Sequence, residues 1–198
     1  MNIIPPAPTR LKIVLASASP RRRELLQMIA PAFAIAESRN VDESHPNDIK
    51  APDVPVFLSR IKADAYADYI GDSMVLITAD TVVICDDKIL EKPKDADDAR
   101  RMLSALSGRA HTVVTGVTLR TTTRSISFSE TTTVHFSALS DSEIEDYITI
   151  FSPMDKAGAY GIQEWIGAIG ISGIEGDFYN VMGLPLHHLY RELKNLTI

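Results

Sequence analysis

Apolar positions along this chain fall into two patterns, short unbroken runs and stripes of helical period, and the two take turns from one end to the other. Lys12 to Ala16 is an apolar run that predicts a buried strand, and it ends in Ser17-Ala18-Ser19-Pro20, where Ser19 can cap a helix whose first residue is Pro20. That helix carries Leu25, Leu26 and Ile29 on one face. Phe57, Ile61 and Ala65, with Leu58 and Tyr69, recur at helical spacing and predict a helix over 54–70. Met74 to Ala79 reads as a second buried strand with Asp80 at its end, and Thr81 to Cys85 and Lys88 to Glu91 flank Asp86-Asp87 as a hairpin with a two-residue turn. From Asp95 the stripe Ala99, Met102, Leu103, Leu106 predicts a helix closed by Gly108.

Residues 110–120 and 124–137 alternate in the manner of strands and are joined through Thr121-Thr122-Thr123, which predicts a long antiparallel pair. Ser140 with Glu143 forms a capping box ahead of Ile144, Tyr147, Ile148 and Phe151. The glycines of 152–183 predict a loosened strand and turns, and Pro185 then opens an amphipathic helix through Leu186, Leu189, Tyr190 and Leu193. Helices and strands alternate with an antiparallel portion, so the fold class is α/β with a mixed sheet and flanking helices.

At 198 residues the chain has room for one large domain or two small lobes, since a domain averages about 150 residues. Residues 1–10 are proline-rich and unpatterned and read as a loose leader, with 11–198 as a single domain. Lys and Arg number 20 against 26 Asp and Glu, a net charge of −6 that repels polyanions. This disfavours nucleic acid as a partner and requires phosphate binding to come from a local basic cluster. The single cysteine, Cys85, excludes an internal disulfide and a multi-cysteine zinc site, and its apolar surroundings predict a buried thiol suited to a reducing cytoplasm. No uncharged apolar stretch reaches the roughly 18 residues of a membrane span, so no membrane partner is expected.

Ser17-Ala18-Ser19-Pro20-Arg21-Arg22-Arg23 is the local basic cluster that the charge balance calls for. A strand-to-helix turn offers free backbone N–H groups, Ser17 and Ser19 add hydroxyl donors, and guanidinium forks match phosphate oxygens. Three cations in the first turn also oppose the helix dipole, which an anionic partner would relieve. A solvated basic turn is the competing interpretation. Asp80 sets a carboxylate inside one long apolar stretch, where it could bind a divalent metal, deprotonate water, or make a strand-end turn. Lys62 and Lys92 read individually as surface cations. Asp42-Glu43 is an acidic pair suited either to a hard cation beside phosphates or to a solvated loop. The histidines lack zinc spacing, no serine sits in a nucleophile elbow, and no glycine-rich nucleotide motif occurs.

Taken in order, Leu15-Ala16-Ser17-Ala18-Ser19-Pro20-Arg21-Arg22, Val41-Asp42-Glu43, Ala79-Asp80-Thr81-Val82-Val83, Lys92-Pro93, Leu106-Ser107-Gly108 with His111 and Thr115-Gly116-Val117, Lys156 to Gln163, and Asn180-Val181 with Gly183-Leu184-Pro185 closely resemble the Maf family of nucleoside triphosphate pyrophosphatases. The resemblance spans residues 11–190. It implies an inosine-triphosphatase-like architecture with two lobes around a nucleotide cleft, and cleavage of a nucleoside triphosphate to the monophosphate and pyrophosphate with a divalent metal such as Mg²⁺ or Mn²⁺. Under it Asp80 matches the catalytic proton acceptor and a metal ligand, Glu43 helps hold the metal, Ser17, Arg21, Lys62 and Lys92 meet the phosphates, and Arg22, Thr81 and Gln163 match positions linked to substrate choice. Ala-Asp-Thr and Tyr-Gly-Ile-Gln resemble the subgroup acting on dTTP and UTP. A homodimer is a further family expectation.

Two positions depart from the family pattern: Thr78 and Glu164 each stand where glycine is common. They bear on selectivity more than on activity, since neither touches Asp80 in sequence. A 7-methyl-GTP pyrophosphatase and a non-enzymatic, nucleic-acid-binding regulator of cell division are the alternatives, separated from the first reading by pyrophosphate release and by the salt dependence of DNA affinity.

Overall fold

Lys12–Leu15 forms the first strand, β1, with Ile13, Val14 and Leu15 all buried, as expected of a strand with parallel neighbours on both sides. Further along come α1 (Pro20–Ile29), β2 (Ala34–Ile35), a turn of 3₁₀ helix at Ala51–Asp53, α2 (Val54–Asp64), β3 (Met74–Cys85), β4 (Lys88–Leu90) and α3 (Ala96–Leu106). Then follow β5 (Ala110–Arg120), β6 (Ser125–Phe136), α4 (Asp141–Phe151), a second 3₁₀ turn at Ala157–Ala159, α5 (Trp165–Gly170), β7 (Ile171–Glu175), α6 (Phe178–Met182) and α7 (Leu186–Asn195). The structure is a computed structural model that describes residues 7–46 and 48–196. Residues 1–6 of the expected leader lie outside it. Pro8 is buried, and the Thr9 hydroxyl donates to the Leu196 carbonyl at 3.2 Å.

The strands make one seven-stranded sheet in the order β2-β1-β3-β5-β6-β7, with β4 paired to β3. β1 runs parallel to β2 and β3, with Leu15 opposite Ile35 and Ile77, while β3–β4 and β6–β7 are antiparallel. The sheet is therefore mixed, in agreement with the expected class. No helix among the described residues is long and apolar enough to cross a membrane.

Two compact units can be distinguished. Among the described residues, those up to Asp80, Thr115–Glu130 and those from Gly183 onward form the first, and Thr81–Val114 and Thr131–Met182 the second. In the first unit α1 packs against α7, and Val14, Ala16, Ala36, Tyr66 and Leu76 form a core cluster. Buried hydroxyls in this unit are paired: Thr78 donates to the Ser59 carbonyl at 2.7 Å, and the Ser59 hydroxyl meets that of Thr118 at 2.8 Å. In the second unit α3 packs against α4 over a core that includes Met102, Leu103, Leu106, Phe136, Tyr147, Tyr160 and Ile166.

Local chemistry explains where the elements start. Ser19 caps α1 with Pro20 in its first turn, Asp95 accepts from the Asp98 N–H at 2.8 Å to cap α3, and Ser140 and Glu143 complete their reciprocal box at α4. Asp86 and Asp87 both take the left-handed backbone (φ 50° and 59°) that a tight two-residue hairpin requires, and Arg109 pairs with Asp86. Cys85 is buried, as its neighbours predict.

Three expectations need correction. The helix predicted over 54–70 ends at Asp64 and continues as turns to Tyr69. Tyr66 is drawn into the core and donates its hydroxyl to the Glu37 carbonyl at 2.8 Å, and the backbone there tightens to i→i−3 hydrogen bonds. Asp80 does not end a strand, for β3 runs unbroken through it to Cys85. Thr81, Val82 and Val83 favour extended backbone and carry the strand onward. Residues 152–183 hold two short helices, α5 and α6, besides the expected strand. A Cβ at Gly167 would lie 1.9 Å from the Ile162 carbonyl oxygen, so this glycine lets α5 close against the preceding chain rather than loosening it.

Candidate active site

In the first unit the cap of α1 organises the basic cluster. The Ser17 hydroxyl accepts from the Ser19 N–H at 3.2 Å, and the Ser19 hydroxyl accepts from the Arg22 N–H at 3.5 Å. Arg22 sends its Nε–H to the Gly183 carbonyl at 2.8 Å, 161 residues away in sequence. Burial lowers the Arg22 pKa from its ordinary value. Asp80 opposes that effect, Arg21 adds to it, and Glu43 opposes it. A guanidinium titrates so high that it remains charged regardless, so the two carboxylates face a permanent cation.

Lys62, in the last turn of α2, meets two of the other residues singled out in the sequence. Its Nζ lies 2.6 Å from Asp80 Oδ1 and 3.1 Å from Glu43 Oε2. Asp80 and Lys62 are largely buried, whereas the Glu43 side chain is 56% exposed. Lys62 is the hydrogen-bond donor that the Asp80 side chain has among the described residues. The Asp42 carboxylate accepts the Ser44 N–H at 2.9 Å, which lowers its pKa.

The Asp80 and Glu43 carboxylates, both within 3.1 Å of the Lys62 ammonium, supply oxygen ligands that a hard divalent cation could share with phosphate oxygens and water, in competition with Lys62. No group of three His, Cys, Asp or Glu side chains that could hold a metal occurs among the described residues, so a cation here would complete its shell from the substrate. On that chemistry Asp80 and Glu43 fit the metal that the family resemblance implies.

The other sequence-selected residues belong to the second unit. Thr81 follows Asp80 in β3, and Lys92 is exposed ahead of the buried Pro93. Gln163 lies in the turn before α5, where Gln163, Glu164, Gly167, Ile174 and Phe178 help line an open depression of about 300 Å³. His111 is buried and its Nε2 meets the Tyr160 hydroxyl at 2.7 Å. Burial, then His135, lower the His111 pKa to about 4, so the ring is neutral near pH 7.

Two contributors escaped the sequence reading. The Gly183 carbonyl holds Arg22, and the Gly-Leu-Pro stretch that contains it gave the available signal. Glu164 was noted only as a departure from glycine, yet its carboxylate pairs with Lys156 at 3.1 Å and accepts the Tyr147 hydroxyl.

Known proteins match this chain over most of its length. A dTTP/UTP pyrophosphatase of Phocaeicola vulgatus is 48% identical over 187 residues, covering 94% of this chain and 97% of that protein. One from Porphyromonas gingivalis is 50% identical over 188 residues, 94% of each chain, and one from Christiangramia forsetii 43% identical over 185 residues, 93% of this chain and 94% of that protein. Among solved structures, the Staphylococcus aureus Ham1 protein aligns with a TM-score of 0.47 at 14% identity, covering 63% of this chain and 71% of that one. The Maf-like protein family matches residues 12–196, from the first residue of β1 to the C-cap of α7, and the chain belongs to it.

Proposed function

We propose that this protein hydrolyses dTTP and UTP to the monophosphate and pyrophosphate. The observation that carries the reading is the meeting of Asp80, Lys62 and Glu43 beside Arg22, in a chain 43% to 50% identical over nearly its whole length to proteins named for that activity. In this reading Asp80 accepts a proton from the water that attacks the α-phosphorus, and the bond to the β-phosphate oxygen breaks to release pyrophosphate. Ser17, Arg21, Lys62 and Lys92 neutralise phosphate charge, and Arg22, fixed by the Gly183 carbonyl, keeps its fork in register with the substrate. Mg²⁺ or Mn²⁺ held by Asp80 and Glu43 supplies further positive charge to the phosphates. Gln163, with Thr81, selects the base: its amide has both a donor and an acceptor for the imide edge shared by thymine and uracil.

A reducing, cytoplasmic setting belongs to the same proposal and is supported by the lone buried thiol of Cys85. The family carries the further expectation of a homodimer, which sedimentation checks. The deciding experiment measures pyrophosphate release from dTTP, UTP, 7-methyl-GTP and GTP, with metal and after chelation. Preferential release from dTTP and UTP that stops on chelation is the expected result. Preference for 7-methyl-GTP overturns the substrate, and full activity in verified metal-free protein overturns the cation.

A further inference from the structure

Within the second unit, Glu164 and Gln163 both fold back over one glycine. A Cβ at Gly161 would lie 2.8 Å from the Glu164 carboxyl carbon and 3.1 Å from the Gln163 amide nitrogen, so both side chains occupy the space that this glycine leaves open. The Gly161 N–H donates to the Tyr147 hydroxyl at 3.0 Å, and that hydroxyl donates to Glu164 Oε2. The other carboxylate oxygen, Oε1, lies 3.1 Å from Lys156 Nζ, which also meets Asp155 Oδ1 at 2.9 Å. Burial and the hydrogen bond to Glu164 raise the Tyr147 pKa, so the hydroxyl stays protonated and keeps its donor role. Both ends of the 156–164 segment are thus tied to one carboxylate, and Gln163 is its immediate neighbour.

We propose that Glu164 is a positioning residue for base selection: clamped between Lys156 and Tyr147 over Gly161, it sets the orientation of the Gln163 amide. The proposal rests on Gln163 acting in substrate choice, and it gives Glu164 a task of its own. A glycine at 164 would leave Lys156 with Asp155 as its remaining ion-pair partner and the Tyr147 hydroxyl without its acceptor. The side chain that shares the space over Gly161 with Gln163 would then be gone.

The test is a double-mutant cycle on the full chain, with kcat and KM for dTTP and GTP measured on the parent, Gln163→Ala, Glu164→Ala and the double variant. Glu164→Ala is expected to lower the dTTP to GTP ratio of kcat/KM about fivefold in the parent and less than twofold once Gln163 is already alanine. Losses that multiply in the double variant, or a parent ratio that Glu164→Ala leaves unchanged, overturn the clamp. Glu164→Gln and Tyr147→Phe keep the test open should Glu164→Ala fold poorly. Each breaks one side of the clamp and should give part of the same ratio change, and an unchanged ratio in both overturns the proposal equally. The failure of base reading itself is a separate outcome: Gln163→Ala would then cut both substrates alike, while a non-additive cycle would still uphold the coupling of Glu164 to Gln163.

Discussion

Lys62 in the first unit and Lys156 in the second each lie between a shielded and an exposed carboxylate. Lys62 lies 2.6 and 3.1 Å from Asp80 and Glu43, and Lys156 lies 3.1 and 2.9 Å from Glu164 and Asp155. The difference is in what else the shielded carboxylate holds. Glu164 accepts a second donor from Tyr147, itself bound to the backbone at Gly161, whereas Asp80 has Lys62 among the described residues. A fully bonded ion pair is a structural fastening, since breaking it strands a buried charge. An acidic group with one protein donor keeps capacity for water, cation or phosphate. Under the proposed function the same residue types serve chemistry in one unit and rigidity in the other, and the number of fixed partners separates the two.

Exchanging each shielded carboxylate for its amide is the sharpest way to break that contrast. Asp80→Asn should lower kcat for dTTP by about 10²–10⁴ with little change in melting temperature, the range for a lost general base. Glu164→Gln should change kcat far less and lower the melting temperature instead. Equal kinetic losses would erase the distinction between the two pairs.

The next effect concerns pH. The folded His111 pKa of about 4 lies below its ordinary value of 6.5, so the unfolded chain binds the extra proton between those limits. The contribution of neutral His111 is complete above pH 6.5 and is lost as the pH falls through 4, by about 3 kcal/mol across the window. Urea unfolding monitored in the second unit should show this slope, and His111→Gln should flatten it. A slope that survives the substitution would assign the proton to another group.

Gln163→Ala should lower kcat/KM for dTTP and UTP about tenfold, near 1.4 kcal/mol, while GTP turnover falls much less. Parallel losses on pyrimidine and purine substrates would return Gln163 to the fastened scaffold. The smallest contrast lies in the caps. Asp95 accepts its N–H at 2.8 Å and Ser19 at 3.5 Å, so Asp95→Ala should cost about 1 kcal/mol in thermal unfolding and Ser19→Ala less.

What could be read from the sequence was local. Ser19-Pro20, Asp95 and Ser140 with Glu143 announce helix starts because each cap is closed within three residues, and Asp86-Asp87 announces its turn between two apolar runs. The ends of α2 and the helices α5 and α6 were not legible, because Tyr66 answers to Glu37 and Gly167 to Ile162. No periodicity displays those contacts. The candidate site divides in the same way. Arg21, Arg22 and Asp80 stand out by charge and placement alone. By contrast, the hold of Gly183 on Arg22 spans 161 residues and the Tyr147–Glu164 bond spans 17, distances over which only the folded chain brings partners together. Lys62 read as an ordinary polar-face lysine until Asp80, 18 residues on, came within 2.6 Å of it.

Trp165 is the only tryptophan of the chain, and it sits one residue beyond Glu164, with its ring stacked at 5° to that of Phe151. At 37% exposure it senses both that ring and the solvent. Excited at the red edge of indole absorption, the protein therefore emits from the second unit alone, with the first unit dark. Any rearrangement of the turn carrying Gln163 is reported by an intrinsic fluorophore at its edge, without a label.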